Sequence, residues 1–459
     1  MLESSTLPVQ RQPAPTPEPI APPRSLRPLF LFLLWGDFAF IFFESIFGRF
    51  MPLYLKQLDA SNTLIGVMTG TITGILNVLF LPNISQWSDR FRSRWGRRRP
   101  FLLVMAPCTT LSLICVGCAP EIVRSLHLPA TASSGIASGS VLLFVLCFFT
   151  VLYHFCNMVL IGAYNWLLRD VVPSEIMPQF LSWFRVVGTT ASVLFLWFVF
   201  PVMLDHRVAV FVSIGLFTLV SFVFMCWRVE EGPYPPPEPR RGGLQVVRDF
   251  AAYFRECLSI SLYRNYILVN MLVMIGATSA ASFFTLYARQ TLDLSMDDMG
   301  RIWAASALVN ALLCVPVGQL CQKYTSMYVT FVSLVLILIV SVSAYGWTGS
   351  RIGWFAYSII FMIPWVGWGL GSLALCMHLF PEAKFGQFFS ALNVFGCGGL
   401  ILGNYLIGRF MDFNGSQYRY VFLWSALFYL LALIPMYRVR AEWRRHGGPK
   451  HYIAPVLTK

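Results

Sequence analysis

Asp37 and Glu44 put two carboxylates inside one long apolar run, residues 29–52. A charged carboxylate at mid-membrane costs about 2.5–3.5 kcal/mol on insertion scales, so such groups face a bundle interior rather than lipid. Seven residues apart on a helix, the two share a face. A carboxyl that takes up and releases a proton inside a cavity can couple proton entry to the movement of a solute. The competing reading is a structural ion pair, with Arg49 or Arg185 as partner. Glu44 and Asp37 are the candidate proton-coupling groups, and His154 joins them because imidazole exchanges protons near neutrality. A lone helical histidine is more often a hydrogen-bonded interior residue.

The candidate solute-binding groups are Asn157, Arg185, Trp365, Trp368 and Asn393. Asn157 stands three residues after His154, on the same helix face. Arg185 lies about two turns into its apolar run, so it either snorkels to the surface or meets a carboxylate or solute. The run Pro364-Trp365-Val366-Gly367-Trp368-Gly369-Leu370-Gly371 weakens a helix and can free backbone groups to line a cavity. Its two indoles offer flat faces and N–H donors to a ring-bearing solute; close helix packing through glycine is the plainer alternative. Asn393, like Asn77, Asn310 and Asn404, has interhelical hydrogen bonding as its plainer role.

The elements that must hold these residues are membrane helices. Of 459 residues, 57% are hydrophobic and only 12% charged, too little charge to cover a soluble fold of this size. The apolar residues fall in runs of ~20, enough to cross a ~30 Å hydrocarbon core as helices. They do not alternate with period two, which argues against an outer-membrane barrel. The expected fold is an all-α polytopic membrane protein of twelve spans, near 29–52, 61–83, 101–119, 139–166, 180–203, 208–227, 265–288, 299–320, 327–347, 352–379, 387–410 and 420–437. Residues 1–28 carry eight prolines and read as an unstructured tail with no signal peptide. Residues 29–227 form a first six-helix bundle and 265–438 a second, with a basic tail at 439–459. The linker, 228–264, opens with a proline run and continues with Leu244, Val247, Ala251, Phe254 and Leu258 at helical spacing. That spacing fits an amphipathic helix on the membrane surface, or equally a linker helix packed on the carrier.

The net charge of +13 is placed by topology and not by a nucleic-acid surface. Arginine crowds the 84–100 loop, the 228–264 segment and the C-terminal tail, while the alternate loops are mixed in charge. The positive-inside rule therefore puts both termini in the cytoplasm of a multi-pass plasma membrane protein, with a bacterial inner membrane as the expected site. The eleven cysteines sit almost wholly in apolar runs, where thiols act as small hydrophobes, and Cys115-x-x-Cys118 lacks a redox context.

The halves echo one another. Pro173, Gln179, Phe180, Ser182, Arg185 and Gly188 recur at the same spacing as Pro381, Gln387, Phe388, Ser390, Asn393 and Gly396. Asn77, Asp89 and Arg90 match Asn310, Gln322 and Lys323. The two echoes set spans two and five against spans eight and eleven, a parallel duplication of six helices with a solute site between the halves.

Between spans two and three runs Ser88-Asp89-Arg90-Phe91-Arg92-Ser93-Arg94-Trp95-Gly96-Arg97-Arg98-Arg99-Pro100-Phe101. Asp89 ends one helix and the arginines precede the next, so they can pair across a tight turn at Gly96; guanidinium groups also suit anionic lipid headgroups. This string resembles the loop signature of the major facilitator superfamily, in the form seen in the glycoside–cation and sucrose–proton symporters. Asn165-Trp166-Leu167-Leu168-Arg169-Asp170-Val171-Val172-Pro173 is similar to a second segment of that branch. The resemblance implies a monomeric carrier in two pseudo-symmetric six-helix bundles. It also implies a cytoplasmic gate network of Asp89, Arg90, Arg97, Arg98, Asp170 and Glu175, whose pairs hold one state and break in the other.

No phosphate-binding loop, metalloprotease motif or nucleophile elbow occurs, and no cluster has metal-ligand spacing. The reading is therefore a carrier and not an enzyme, with no cofactor or metal. Its partners are a small solute, a co-transported proton and membrane lipid. Proton-coupled symport of a sugar or glycoside by alternating access is the sharpest version, and export of amphipathic compounds is the second.

Overall fold

The computed structural model describes residues 26–125, 135–173, 176–231 and 254–455. Among them, twelve helices are long and apolar enough to cross a membrane. We label them α1 (Pro28–Gln57), α2 (Asn62–Arg90), α3 (Arg99–Gly117), α4 (Ser140–Val171), α5 (Gln179–Val202), α6 (Arg207–Arg228), α7 (Ser261–Thr291), α8 (Met296–Tyr324), α9 (Ser326–Trp347), α10 (Arg351–Leu379), α11 (Phe385–Phe413) and α12 (Tyr418–Arg445). Every expected span is present, most within a few residues of its expected bounds. The main difference is length. Residues 439–445, expected in the basic tail, continue α12, and the chain then folds back so that Tyr452 Oη donates to the Leu379 carbonyl at 2.8 Å.

Local signals start these helices where backbone donors would otherwise go unpaired. Ser61 accepts from the Leu64 N–H at 3.2 Å, and Ser295 accepts from the Asp298 N–H at 3.0 Å. They cap the equivalent helices α2 and α8. Pro52, Pro82, Pro107, Pro316 and Pro435 lie inside helices, tolerated because neighbouring segments and local winding changes satisfy the freed groups. Three π turns interrupt α2 (Val67–Thr71), α5 (Phe195–Val199) and α7 (Tyr287–Thr291).

Helix neighbours repeat with a shift of six. In the first half α1 packs on α5 and α6, α2 on α4, and α3 on α4 and α6; in the second, α7 packs on α11 and α12, α8 on α10, and α9 on α10 and α12. The contacts between halves obey the same symmetry: α2 with α11, α5 with α8, and α1 with α7. Phe180 and Phe388, paired by the sequence echo, are both buried. Each meets an aromatic ring of its own half's first helix, Phe30 at 5.1 Å and Tyr263 at 4.7 Å between centroids.

These interhalf contacts lie away from the arginine-rich loops. Gly66, Gly70 and Gly74 of α2 lie directly on Asn404 and Ile401 of α11, the close approach that small residues every four positions permit. At that end the Asp412 carboxylate caps α2. It accepts from the Asn62 N–H (2.8 Å), Asn62 Nδ2 (2.9 Å), the Thr63 N–H (2.8 Å) and Thr63 Oγ1 (2.5 Å). Tyr418 Oη donates to Asn62 Oδ1 at 2.7 Å. Toward the basic end both halves instead contribute to one cavity, with Leu181 and Arg185 of α5 and Met362 and Trp365 of α10 on its wall. The halves are closed at one end and parted at the other.

Of the linker, 254–259 is helical and packs on the second half, with Phe254 5.7 Å from Phe395. The remainder of the expected amphipathic helix, Leu244, Val247 and Ala251, lies outside the described residues, as does the tail through residue 25.

Candidate functional site

The parted halves enclose a cavity of about 1000 Å³, lined from α1, α5, α7, α8, α10 and α12. Asp37 lies on its wall, buried, and neither carboxylate oxygen has a hydrogen-bond partner among the described residues. The reason it fits is across the helix contact: a Cβ on Gly188 of α5 would come 3.3 Å from Asp37 Oδ2. Ile41 and Gly48 also line the cavity. At about 100° per residue Asp37, Ile41, Glu44 and Gly48 fall within about 60° of arc, so Glu44, an exposed residue, shares the helix face of the lining residues without itself lining the cavity.

Arg49 and Arg185 line the same cavity. Neither forms an ion pair with Asp37 or Glu44. The Arg49 guanidinium instead lies 4.5 Å from the ring centroid of Trp303 on α8. Across from this charged wall α10 presents aromatic rings. Trp354 and Tyr357 stand 5.6 Å apart, Tyr357 and Phe361 5.4 Å, and Phe361 and Trp365 5.8 Å. All four line the cavity, as does Asn310.

The remaining sequence candidates fall elsewhere. His154 is buried and has two partners: its Nε2 lies 3.0 Å from the Met68 carbonyl and its Nδ1 3.2 Å from Thr73 Oγ1. With Nε2–H donating to the carbonyl, Nδ1 accepts from the hydroxyl, so the neutral ring is satisfied. The Met68 carbonyl belongs to the π turn of α2, and the contact pins α4 to α2. Asn157, on the same face of α4, has a buried Oδ1 without a partner among the described residues but does not line the cavity. Trp368 is 3% exposed within the core of the second half. Asn393 is exposed on α11 and donates to the Phe389 carbonyl at 2.8 Å.

At the basic end the loop residues converge as a second cluster. Arg97 Nη2 meets Asp170 Oδ1 at 2.7 Å and Arg98 Nε meets Asp170 Oδ2 at 3.1 Å. Arg98 also donates to Ser88 Oγ at 2.7 Å, pairs with Asp89, and lies over the Trp166 ring at 5.2 Å. Arg90 ends α2 without joining these pairs, and Glu175 lies outside the described residues. All of these residues belong to the first half, so in this conformation the cluster ties α2, α3 and α4 together. Gly96 adopts φ +98, the left-handed region open to glycine.

Sequence reasoning missed Glu231. Its carboxylate accepts from the N–H groups of Arg97 (2.9 Å), Arg98 (3.0 Å) and Arg99 (2.7 Å), capping α3 from the start of the linker. It also missed Trp303, Trp354, Tyr357 and Phe361. The signal for the last three was aromatic spacing of three and four along α10.

The described residues contain no group of three or more His, Cys, Asp or Glu able to hold a metal. No curated protein matches the sequence. Among solved structures, the fold is similar to a bacterial homolog of the human lysosomal transporter Spinster in an inward-facing and occupied conformation. That match has a TM-score of 0.68 and 14% identity, covering 93% of this chain and 98% of that one. It is also similar to the nucleoside transporter NupG (TM-score 0.66, 14% identity, 90% and 99% covered) and to a D-xylose–proton symporter (TM-score 0.64, 15% identity, 95% and 100% covered). At these identities the likeness concerns the fold. The sequence itself carries the family: residues 33–404 match the Major Facilitator Superfamily profile. Twelve helices in two halves related by a shift of six, parted around a charged cavity, make this chain a membrane transporter of the major facilitator superfamily.

Proposed function

We propose that this transporter carries its solute by alternating access and couples it to protons, with Asp37 and Glu44 as the coupling groups. The observation that carries this reading is Asp37: a buried carboxylate on the cavity wall with no hydrogen-bond partner among the described residues. A structural ion pair would have given it a guanidinium within reach. Protonation removes the penalty of holding it in the membrane, so proton loading and solute loading belong to one state. His154, with both ring nitrogens engaged, serves as the pin between α4 and α2.

The solute is a small sugar or glycoside, bound by Arg185 and Trp365 in the cavity. Trp368 belongs to the core of the second half on which Trp365 packs, while Asn157 and Asn393 stand off the cavity in this conformation. The second reading, export of amphipathic compounds, draws on the α10 aromatic wall. Both termini lie in the cytoplasm of the plasma membrane, a bacterial inner membrane in this reading, and the monomer is the working unit. Two six-helix bundles, 29–227 and 265–438, rock about the cavity. When the basic end closes, the half-exposed Asp89 meets the N-terminus of α11, which has no side-chain cap, while Arg97, Arg98 and Asp170 keep the first half rigid.

Proteoliposomes with an internal pH dye test the coupling. Addition of the transported sugar outside acidifies the lumen. Glu44→Gln or Asp37→Asn removes the acidification and the accumulation, while solute exchange across the membrane continues. Sugar uptake with no proton movement, or unchanged pH dependence in both variants, defeats the proposal.

A further inference from the structure

The charges around the cavity favour one kind of solute. Asp37, Arg49 and Arg185 line it, and Glu44 shares the α1 stripe. With both carboxylates ionised these four charges cancel. Once the carboxylates carry the protons that the coupled reading requires, two guanidinium groups remain, because arginine does not give up its proton. A net positive chamber within lipid favours an anionic solute, and a monoanion offsets one of the two charges.

The geometry locates that anion at the closed end. Arg49 forms no ion pair among the described residues. A guanidinium stacked on an indole, as Arg49 is on Trp303 at 4.5 Å, keeps its in-plane N–H groups available, and those groups match a carboxylate in the same plane. Trp354, 2% exposed, has an indole N–H with no acceptor among the described residues. The acidic groups on α1 are turned away or distant. Glu44 lies about 140° around the helix from Arg49, and Asp37 lies about 18 Å down it. Arg49, the Trp354 indole and the Tyr357 hydroxyl, the last also without a partner among the described residues, thus line one cavity. From Trp354 the rings of Tyr357, Phe361 and Trp365 lead toward the open end at centroid spacings of 5.4 to 5.8 Å. Such a surface suits the flat face of a ring.

We propose that this cavity selects ring-bearing organic monoanions, the acid group held by Arg49 and the ring laid along the α10 aromatic wall. The proposal rests on the transport reading and sharpens its solute: an acidic glycoside meets both, and a neutral sugar does not.

Matched probes test it on the purified full-length protein, by thermal shift and by titration calorimetry. Indole-3-acetate, tryptophol and tryptamine share one ring system and differ in charge; glucuronate and glucose repeat the acid and neutral members on a sugar ring. The acid in at least one set binds about tenfold more tightly than its neutral partner, the factor that about 1.4 kcal/mol of charge-assisted bonding gives. Arg49→Gln lowers acid binding to the level of the neutral probe, and Arg49→Lys keeps part of the preference. Monodisperse elution of both variants shows that the fold is intact. The proposal is overturned if no acid binds, if alcohol or amine binds as well as acid, or if Arg49→Gln retains the preference. Acid uptake that needs Arg49 but moves no proton would leave it standing and remove the coupling reading instead.

Discussion

Asp37 and Glu231 are two carboxylates with opposite circumstances. Asp37 is buried with no partner among the described residues, whereas Glu231 accepts three backbone N–H groups at the start of α3. Replacing Glu231 with Ala leaves those donors unpaired, and we expect a loss of about 1–3 kcal/mol, read as a lower unfolding temperature in detergent. Gly96→Ala should fall in the same direction. Its φ of +98 disfavours a side chain, and a Cβ there would meet the Glu231 carboxylate at 2.6–2.8 Å. Equal melting of both variants and the parent protein would show that the cap carries no weight. Asp37 was legible in the sequence because a carboxylate stands out in an apolar run. Glu231 was not, because its partners are backbone groups more than 130 residues earlier, and nothing in local spacing announces a backbone partner.

Among the elements, the α2–α11 pair decides how the halves meet. The glycines at 66, 70 and 74 allow backbone contact with Asn404 and Ile401, so a branched side chain at the centre of that stripe must push the helices apart. Gly70→Ile is expected to slow transport at least tenfold and to raise labelling of single cysteines placed near Asn404, read with a membrane-impermeant thiol reagent. Unaltered labelling would mean that the close approach is incidental. The same pair carries an acid at each C-terminal end, Asp89 on α2 and Asp412 on α11. Asp412 caps the partner helix in this conformation. Its carboxylate accepts backbone N–H groups at a helix N-terminus, where negative charge is favoured. Asp412→Ala should therefore shift the population away from the state described here, seen as increased accessibility of Arg49-level positions from the end opposite the basic loops. The helices themselves were readable from hydropathy, within a few residues for most spans. Their pairing was not, since a run of glycines gives a packing face without giving its partner.

For the molecule as a whole, the proposed rocking draws on the shift-by-six symmetry: contacts within each half are extensive, and α2 meets α11 closely at one end. Fixing that end should stop the cycle. In a background without the eleven native cysteines, a disulfide between Thr63→Cys and Asp412→Cys is expected to abolish transport, with recovery on reduction. Undiminished transport with the bond formed, as shown by mass, would exclude rocking about this contact.

Apolar run length, the 88–101 loop string and the repeated residues around Phe180 and Phe388 were enough to read a twelve-helix carrier built from two related halves, because the membrane makes each span answer to its own composition. Which polar residues share a cavity depended on how the helices rotate and where they close. His154 turned to the π turn of α2, Trp368 went into the core of the second half, and Arg49 came to Trp303 from a different helix. Such contacts arise between segments far apart in the chain, and only packing chooses among the faces that each helix offers.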